Sequence, residues 1–99
     1  MLSGKKNIQS TNNEWGYDVI NNNGQLIILG SVQAQSNNNF LIQPLDSAGN
    51  PIQVPNTTTM ANQIIYSGLV SSDQHLVFTG QNTVLGISQI VLVKKNYPY

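Results

Sequence analysis

The 99-residue chain contains no cysteine. That excludes disulfide staples and cysteine-based zinc sites. It also has no arginine, and its four lysines stand as two pairs, Lys5–Lys6 and Lys94–Lys95. A nucleic-acid surface needs clustered basic side chains, and two separated pairs do not supply one. Charged residues make up 8% of the chain, against roughly 25% in an ordinary soluble domain, and the net charge is zero. No apolar run approaches the ~18 residues that would span a membrane. The opening stretch MLSGKKNIQS has two lysines but no apolar segment behind them, so it does not read as a signal peptide.

Neutral amides and hydroxyls supply the missing polarity. There are fourteen asparagines and ten glutamines, several of them in clusters such as Asn21–Asn23 and Asn37–Asn39. A neutral, hydrogen-bonding surface suits two roles. One is recognition of neutral, hydroxyl-rich ligands, meaning sugars. The other is association with copies of the same chain or with other proteins, which a net charge near zero favours.

Helical periodicity is absent. The apolar runs are short, rich in Ile and Val, and separated by Gly, Asn, Pro and Ser, which is an all-β pattern. Residues 1–13 read as a flexible N-terminal arm and residues 14–99 as a single domain. Strands are expected at 15–20, 26–35, 40–45, 52–54, 63–70, 75–79 and 83–93. Asn23-Gly24 is the strongest turn signal, and SNNN and GQN are expected to be further turns. Gly30 inside its strand marks a possible bulge, and Pro44 favours an edge. The segment IVLV is apolar on both faces, which places it centrally between two layers. The expected architecture is an antiparallel β-sandwich of jelly-roll type with about seven to eight short strands.

Three stretches in order carry a family likeness: GQLIILGSVQAQSNNNFLIQPLDSAGNPI, HLVFTG and GISQIVLVKK. Together they resemble the galactose-binding-like jelly rolls of carbohydrate-binding modules. They also resemble the lectin-like third domain of three-domain crystal insecticidal toxins. The resemblance spans roughly residues 24–95 and consists mainly of strand-and-turn grammar. It implies a non-catalytic, lectin-like domain; the expected setting across both readings is extracellular or the surface of a virion. Those families usually hold a structural calcium through an early acidic residue, and nothing before residue 14 matches it.

The acid–base inventory is Glu14, Asp18, Asp46, Asp73 and His75. A retaining glycosidase needs two carboxyl groups ~5 Å apart, whereas Glu14 and Asp18 on one strand would stand about 13 Å apart. Asp73 and His75 have no marked nucleophile beside them, and Asp46 sits in a turn where aspartate caps its own backbone. No catalytic residue, metal site or cofactor is expected. Sugar recognition instead asks for an aromatic platform and amide side chains, which offer donor and acceptor together. The candidate ligand-binding residues are Trp15, Tyr17, Tyr66, Asn37, Asn38 and Asn39, with the asparagines expected on loops. A single Trp such as Trp15 is more often a core or rim residue than a ligand platform, and Phe40 and Phe78 read as core. Asn56-Thr57-Thr58 is a sequon of the kind chance produces in an Asn- and Thr-rich chain. The terminal NYPY reads as an exposed tail. The expected partner is a glycan or polysaccharide. The alternative is a self-associating structural protein, such as a phage or viral capsid or fibre component or a surface filament subunit.

Overall fold

The computed structural model describes residues 4, 5, 7, 8, 12–34, 36–52 and 61–97. Among these there are six strands and no helix. They are β1 (Glu14–Asn22), β2 (Gln25–Ala34), β3 (Asn37–Pro44), β4 (Asn62–Val70), β5 (His75–Val84) and β6 (Ile87–Asn96). Every pairing is antiparallel. The strands form two three-stranded meanders, β1-β2-β3 and β4-β5-β6, in a sandwich-like arrangement. The expected strand at 52–54 is not seen as such. Leu45 bridges to Pro51, Ile52 lies outside any strand, and residues 53 and 54 fall outside the described residues, as does the sequon at 56–58.

Turn chemistry sets much of the register. Asn23 and Gly24 both take positive φ, at 53° and 91°, so Asn22 pairs with Gln25 across a two-residue hairpin. Asp46 accepts the main-chain N–H groups of Ala48 and Asn50 at 2.9 Å, the self-capping turn expected of it. At the β4–β5 turn the Ser71 hydroxyl donates to Asp73 and accepts the His75 N–H.

The core sits where β4 packs against β1, β2 and β3. Ile27, Leu29, Ile65 and Leu76 are fully buried there, with Phe78, Ile20 and Tyr97 nearly so. Burying each such large side chain contributes about 1.5–3 kcal/mol. Phe40 meets Phe78 edge-on at 5.0 Å, as expected of core aromatics. The tail expectation is corrected at Tyr97. Its ring is buried and its hydroxyl donates to Gln25 Oε1 at 2.7 Å, because β6 carries it back over the start of β2. Burial pushes the Tyr97 phenol above its ordinary pKa. Pro98 and Tyr99 lie outside the described residues.

One carboxylate joins the two sheets. Asp18 Oδ2 accepts the Gly68 N–H at 3.0 Å and the Ser67 hydroxyl at 3.2 Å, while Oδ1 accepts the Val19 N–H. Charge-assisted bonds of this kind are the strong ones. Asp18→Ala is expected to cost about 2 kcal/mol in urea unfolding, and Asp18→Asn less, since the amide keeps one acceptor.

The placement of IVLV is also corrected. β6 is an outer strand, with Ile90 88% and Leu92 76% exposed. Apolar residues on both faces usually mean cover on both sides. Here β4 carries most of the packing between sheets, and β6, two strands further out, reaches the core only near its end, through Val93 and the following Tyr97.

Candidate functional site

Two tyrosines leave the regular alternation of their strands. On β1 the register slips between Gly16 and Asp18, so Tyr17 is the extra residue of a bulge. On β4 it slips between Ile65 and Ser67, which makes Tyr66 the extra residue there. A bulge re-aims its side chain and bends the strand. Each bulge faces a glycine, Gly30 on β2 and Gly80 on β5. A Cβ on Gly30 would stand 1.8 Å from the Trp15 carbonyl oxygen, and one on Gly80 would stand 1.9 Å from that of Ile64. In both cases the carbonyl belongs to the residue two before the bulged tyrosine. The two hairpins thus repeat one local device without repeating a sequence.

β1 and β4 pack together, so the two bulges meet. Tyr17 and Tyr66 contact edge-to-face, with ring centroids 5.3 Å apart and planes at 61°. Both remain open to solvent, at 50% and 44% exposure. Beside Tyr66, on the open face of the second sheet, lies a shallow groove of about 410 Å³. Tyr66, Thr79, Gln81, Ser88, Gln89 and Ile90 line it. Its polar groups are neutral and linked. The Tyr66 hydroxyl donates to Gln81 Oε1 at 3.2 Å, Gln81 Nε2 reaches Thr83 Oγ1 at 3.5 Å, and Thr83 and Ser88 share a hydroxyl hydrogen bond at 2.8 Å. The groove therefore offers an aromatic wall, an aliphatic edge and a row of amides and hydroxyls. Such a row can donate and accept without the cost of desolvating a charge.

Trp15 is 42% exposed and lies outside the buried cluster. No ring contact joins it to the tyrosine pair among the described residues. The asparagines are placed differently from the loops expected for them. Asn37, Asn38 and Asn39 open strand β3, paired with Ala34, Gln33 and Val32, and Asn39 is buried. Pairing with β2 satisfies their main chain and overrides their turn preference. Asn62 Oδ1 accepts the Asn38 N–H at 2.9 Å. Asn62 precedes Tyr66 by four residues, about 13 Å along an extended strand. The structure therefore brings Tyr17 and Tyr66 together and leaves the asparagine cluster apart from them.

Gln81, Thr79 and Ser88 were not foreseen as site residues, because GQN read as a turn. Gly80-Gln81-Asn82 instead runs through the middle of β5, and the turn is Leu85-Gly86. The alternation Val77, Thr79, Gln81, Thr83 was the signal that would have placed them on one face.

Asp73 and His75 meet at the β4–β5 turn. His75 Nδ1 lies 3.2 Å from Asp73 Oδ2, though out of line for a hydrogen bond, and Lys94 Nζ lies 3.3 Å from the same oxygen. In a nucleophilic triad the serine hydroxyl must bond to the imidazole. Here the Ser71 hydroxyl donates to the carboxylate and accepts the His75 main-chain N–H. The Ser71 hydroxyl first, then His75 and Lys94, hold the Asp73 carboxyl well below its usual 3.8. A depressed carboxylate stabilises the fold fully above its unfolded pKa and loses that contribution as pH falls toward its folded pKa. The stability gap between the parent and Asp73→Asn is therefore expected to be constant near neutrality. It should narrow only below about pH 3.8, as read by denaturant unfolding across pH.

No group of three or more metal-ligating side chains occurs among the described residues. No helix among them is long and apolar enough to cross a membrane. Comparison with known proteins finds no family model, no curated protein and no solved structure that matches this chain.

Proposed function

We propose that the chain is a non-catalytic, lectin-like domain that binds a neutral glycan along the Tyr17–Tyr66 pair and the adjoining groove. The observation that carries this reading is the meeting of two bulged tyrosines, both exposed, beside a groove of amides and hydroxyls. A pyranose ring has an apolar face that fits an aromatic wall. Its hydroxyls match side chains that donate and accept at once. The scarcity of charge agrees with this chemistry, since a neutral ligand gains nothing from ion pairs. The resemblance to galactose-binding-like modules points the same way. On this reading Trp15 extends the platform along β1, while Asn37, Asn38 and Asn39 support strand β3. The setting is extracellular or the surface of a virion.

The test is retention of the purified domain on a panel of neutral oligosaccharides built from galactose, glucose, mannose and N-acetylglucosamine. Binding to one sugar class, competed by the free sugar and unchanged between low and high salt, is the expected result. Absence of binding across the panel overturns the reading.

One observation favours the alternative, a self-associating structural subunit. β6 presents exposed Ile87, Ile90 and Leu92 on an outer edge.

A further inference from the structure

We propose that β6 is the seam of a two-fold dimer. Two copies pair their outer β6 edges antiparallel about Val91 and join two three-stranded sheets into one of six strands. The inference rests on the geometry of β6 and stands apart from the glycan reading.

The sheet edges of this molecule are treated differently from one another. β1 is broken by the Tyr17 bulge, and its Asp18 reaches across to β4. β3 ends in Pro44, and Asn62 occupies its Asn38 N–H. β4 is broken by the Tyr66 bulge, and its Gly68 N–H is taken by Asp18. Bulges, prolines and side-chain cover are how native sheets blunt an edge. β6 has no bulge or proline, no described residue covers its outer edge, and its charges are confined to Lys94 and Lys95 at one end. It pairs with β5 through ten consecutive registers, from His75–Asn96 to Val84–Ile87, without a bulge or proline. No charge occurs between Ile87 and Val93. No described residue pairs with its outer edge.

The hydrogen-bonding phase of that edge follows from the turn. Leu85 and Gly86 take φ of 53° and 78°, and Val84 pairs with Ile87, which is a two-residue hairpin. Its closing pair exchanges both main-chain hydrogen bonds, and the pattern alternates from there. Ile87, Gln89, Val91, Val93 and Lys95 thus bond to β5. Ser88, Ile90, Leu92 and Lys94 aim their N–H and C=O groups outward.

A second copy fits this edge better than an unrelated strand would, for reasons of register and charge. Centring the pairing on Val91 sets Ile90 opposite Leu92 of the second copy, and Leu92 opposite its Ile90. Outward-aimed groups then meet outward-aimed groups at each of these positions. Four large, mostly exposed aliphatic side chains gather on one face. Lys94 and Lys95 fall opposite Ser88 and Ile87, so the lysine pairs of the two copies sit at opposite ends. A parallel pairing would stack them. A chain of zero net charge adds no long-range repulsion. The paired form also sets Leu92 of the second copy beside Ile90 at the rim of the groove.

The experiment uses the full chain and three single substitutions. Val91 on the axis would face its own copy as a non-hydrogen-bonded pair, with Cα atoms about 4.5 Å apart, inside the range a disulfide accepts. Because the chain has no other cysteine, Val91→Cys should oxidise to a covalent dimer much faster than Val19→Cys on exposed β1. Light scattering should give a dimer for the parent. Leu92→Pro, which removes only an outward N–H, should give a monomer with an unchanged circular-dichroism spectrum. Leu92→Lys serves the same purpose if the proline variant fails to fold. A parent that stays monomeric at about 100 µM, the weak end for specific pairing, overturns the proposal. So does a folded Leu92 variant that remains dimeric, or equal cross-linking of the two cysteine variants. The last two results would place the contact elsewhere, or give the β6 edge to a different occupant.

Discussion

Gly80→Ala is expected to destabilise the fold by at least about 3 kcal/mol, the upper end for overpacking a tight site. The added Cβ would stand 1.9 Å from the Ile64 carbonyl oxygen and 3.0 Å from the Ile65 Cα. These are backbone atoms of a paired strand, so no side chain can swing away to relieve the clash. Relief requires β4 to move off β5, and β4 is the strand that carries the packing against the first sheet. Gly30→Ala should behave in the same way, with its Cβ 1.8 Å from the Trp15 oxygen. Gly16→Ala is the control. Its Cβ would meet only the Ile28 side chain at 3.4 Å. The change there should stay within about 1 kcal/mol, because alanine also restricts the unfolded chain. Urea unfolding of the three variants checks the ranking. For a domain of this size, whose whole stability is about 5–15 kcal/mol, the first two variants lose a large share of it.

The second large effect concerns binding. Tyr66→Ala should weaken glycan binding by about 30-fold or more, which corresponds to the ~2 kcal/mol of a hot-spot aromatic. Tyr66 carries both the ring that meets Tyr17 and the hydroxyl that orients Gln81. Tyr66→Phe keeps the ring and loses the hydroxyl, so it should cost several-fold rather than 30-fold. Tyr17→Ala should also weaken binding, since Tyr66 then loses the ring packed against it. Both tyrosines are about half exposed, so neither truncation should unfold the domain. Isothermal titration with the sugar retained in the panel, alongside denaturation curves of the same samples, separates loss of contact from loss of fold.

Much of the strand layout was legible because the relevant signals are local. Asn23-Gly24 marks its own hairpin, Asp46 caps its own turn, and Pro44 lies at the end of an edge strand. Gly30 was readable as the sign of a bulge, though the extra residue is Tyr17 on neighbouring β1 and not a residue of β2 itself. Gly80 was not, because the same residue type serves a turn or a close approach of the neighbouring backbone. Only the Ile64 oxygen across the sheet decides between them. The Leu85-Gly86 turn was hidden for a related reason, as leucine rarely takes a positive φ. Asn37–Asn39 kept their turn preference in the sequence and lost it to pairing with β2. The candidate site was half legible. Tyr17 and Tyr66 could each be singled out as exposed aromatics. Their meeting depends on two register slips in strands 49 residues apart, which no local pattern encodes.

The most direct test of the central claim is a nuclear magnetic resonance titration of the ¹⁵N-labelled domain with the neutral oligosaccharide it retains best. The account predicts that amide shifts concentrate at Tyr17, Tyr66, Gln81 and Ser88 and leave Asn37–Asn39 unmoved. Shifts centred on the asparagine cluster, or no shifts with any sugar of the panel, would contradict it.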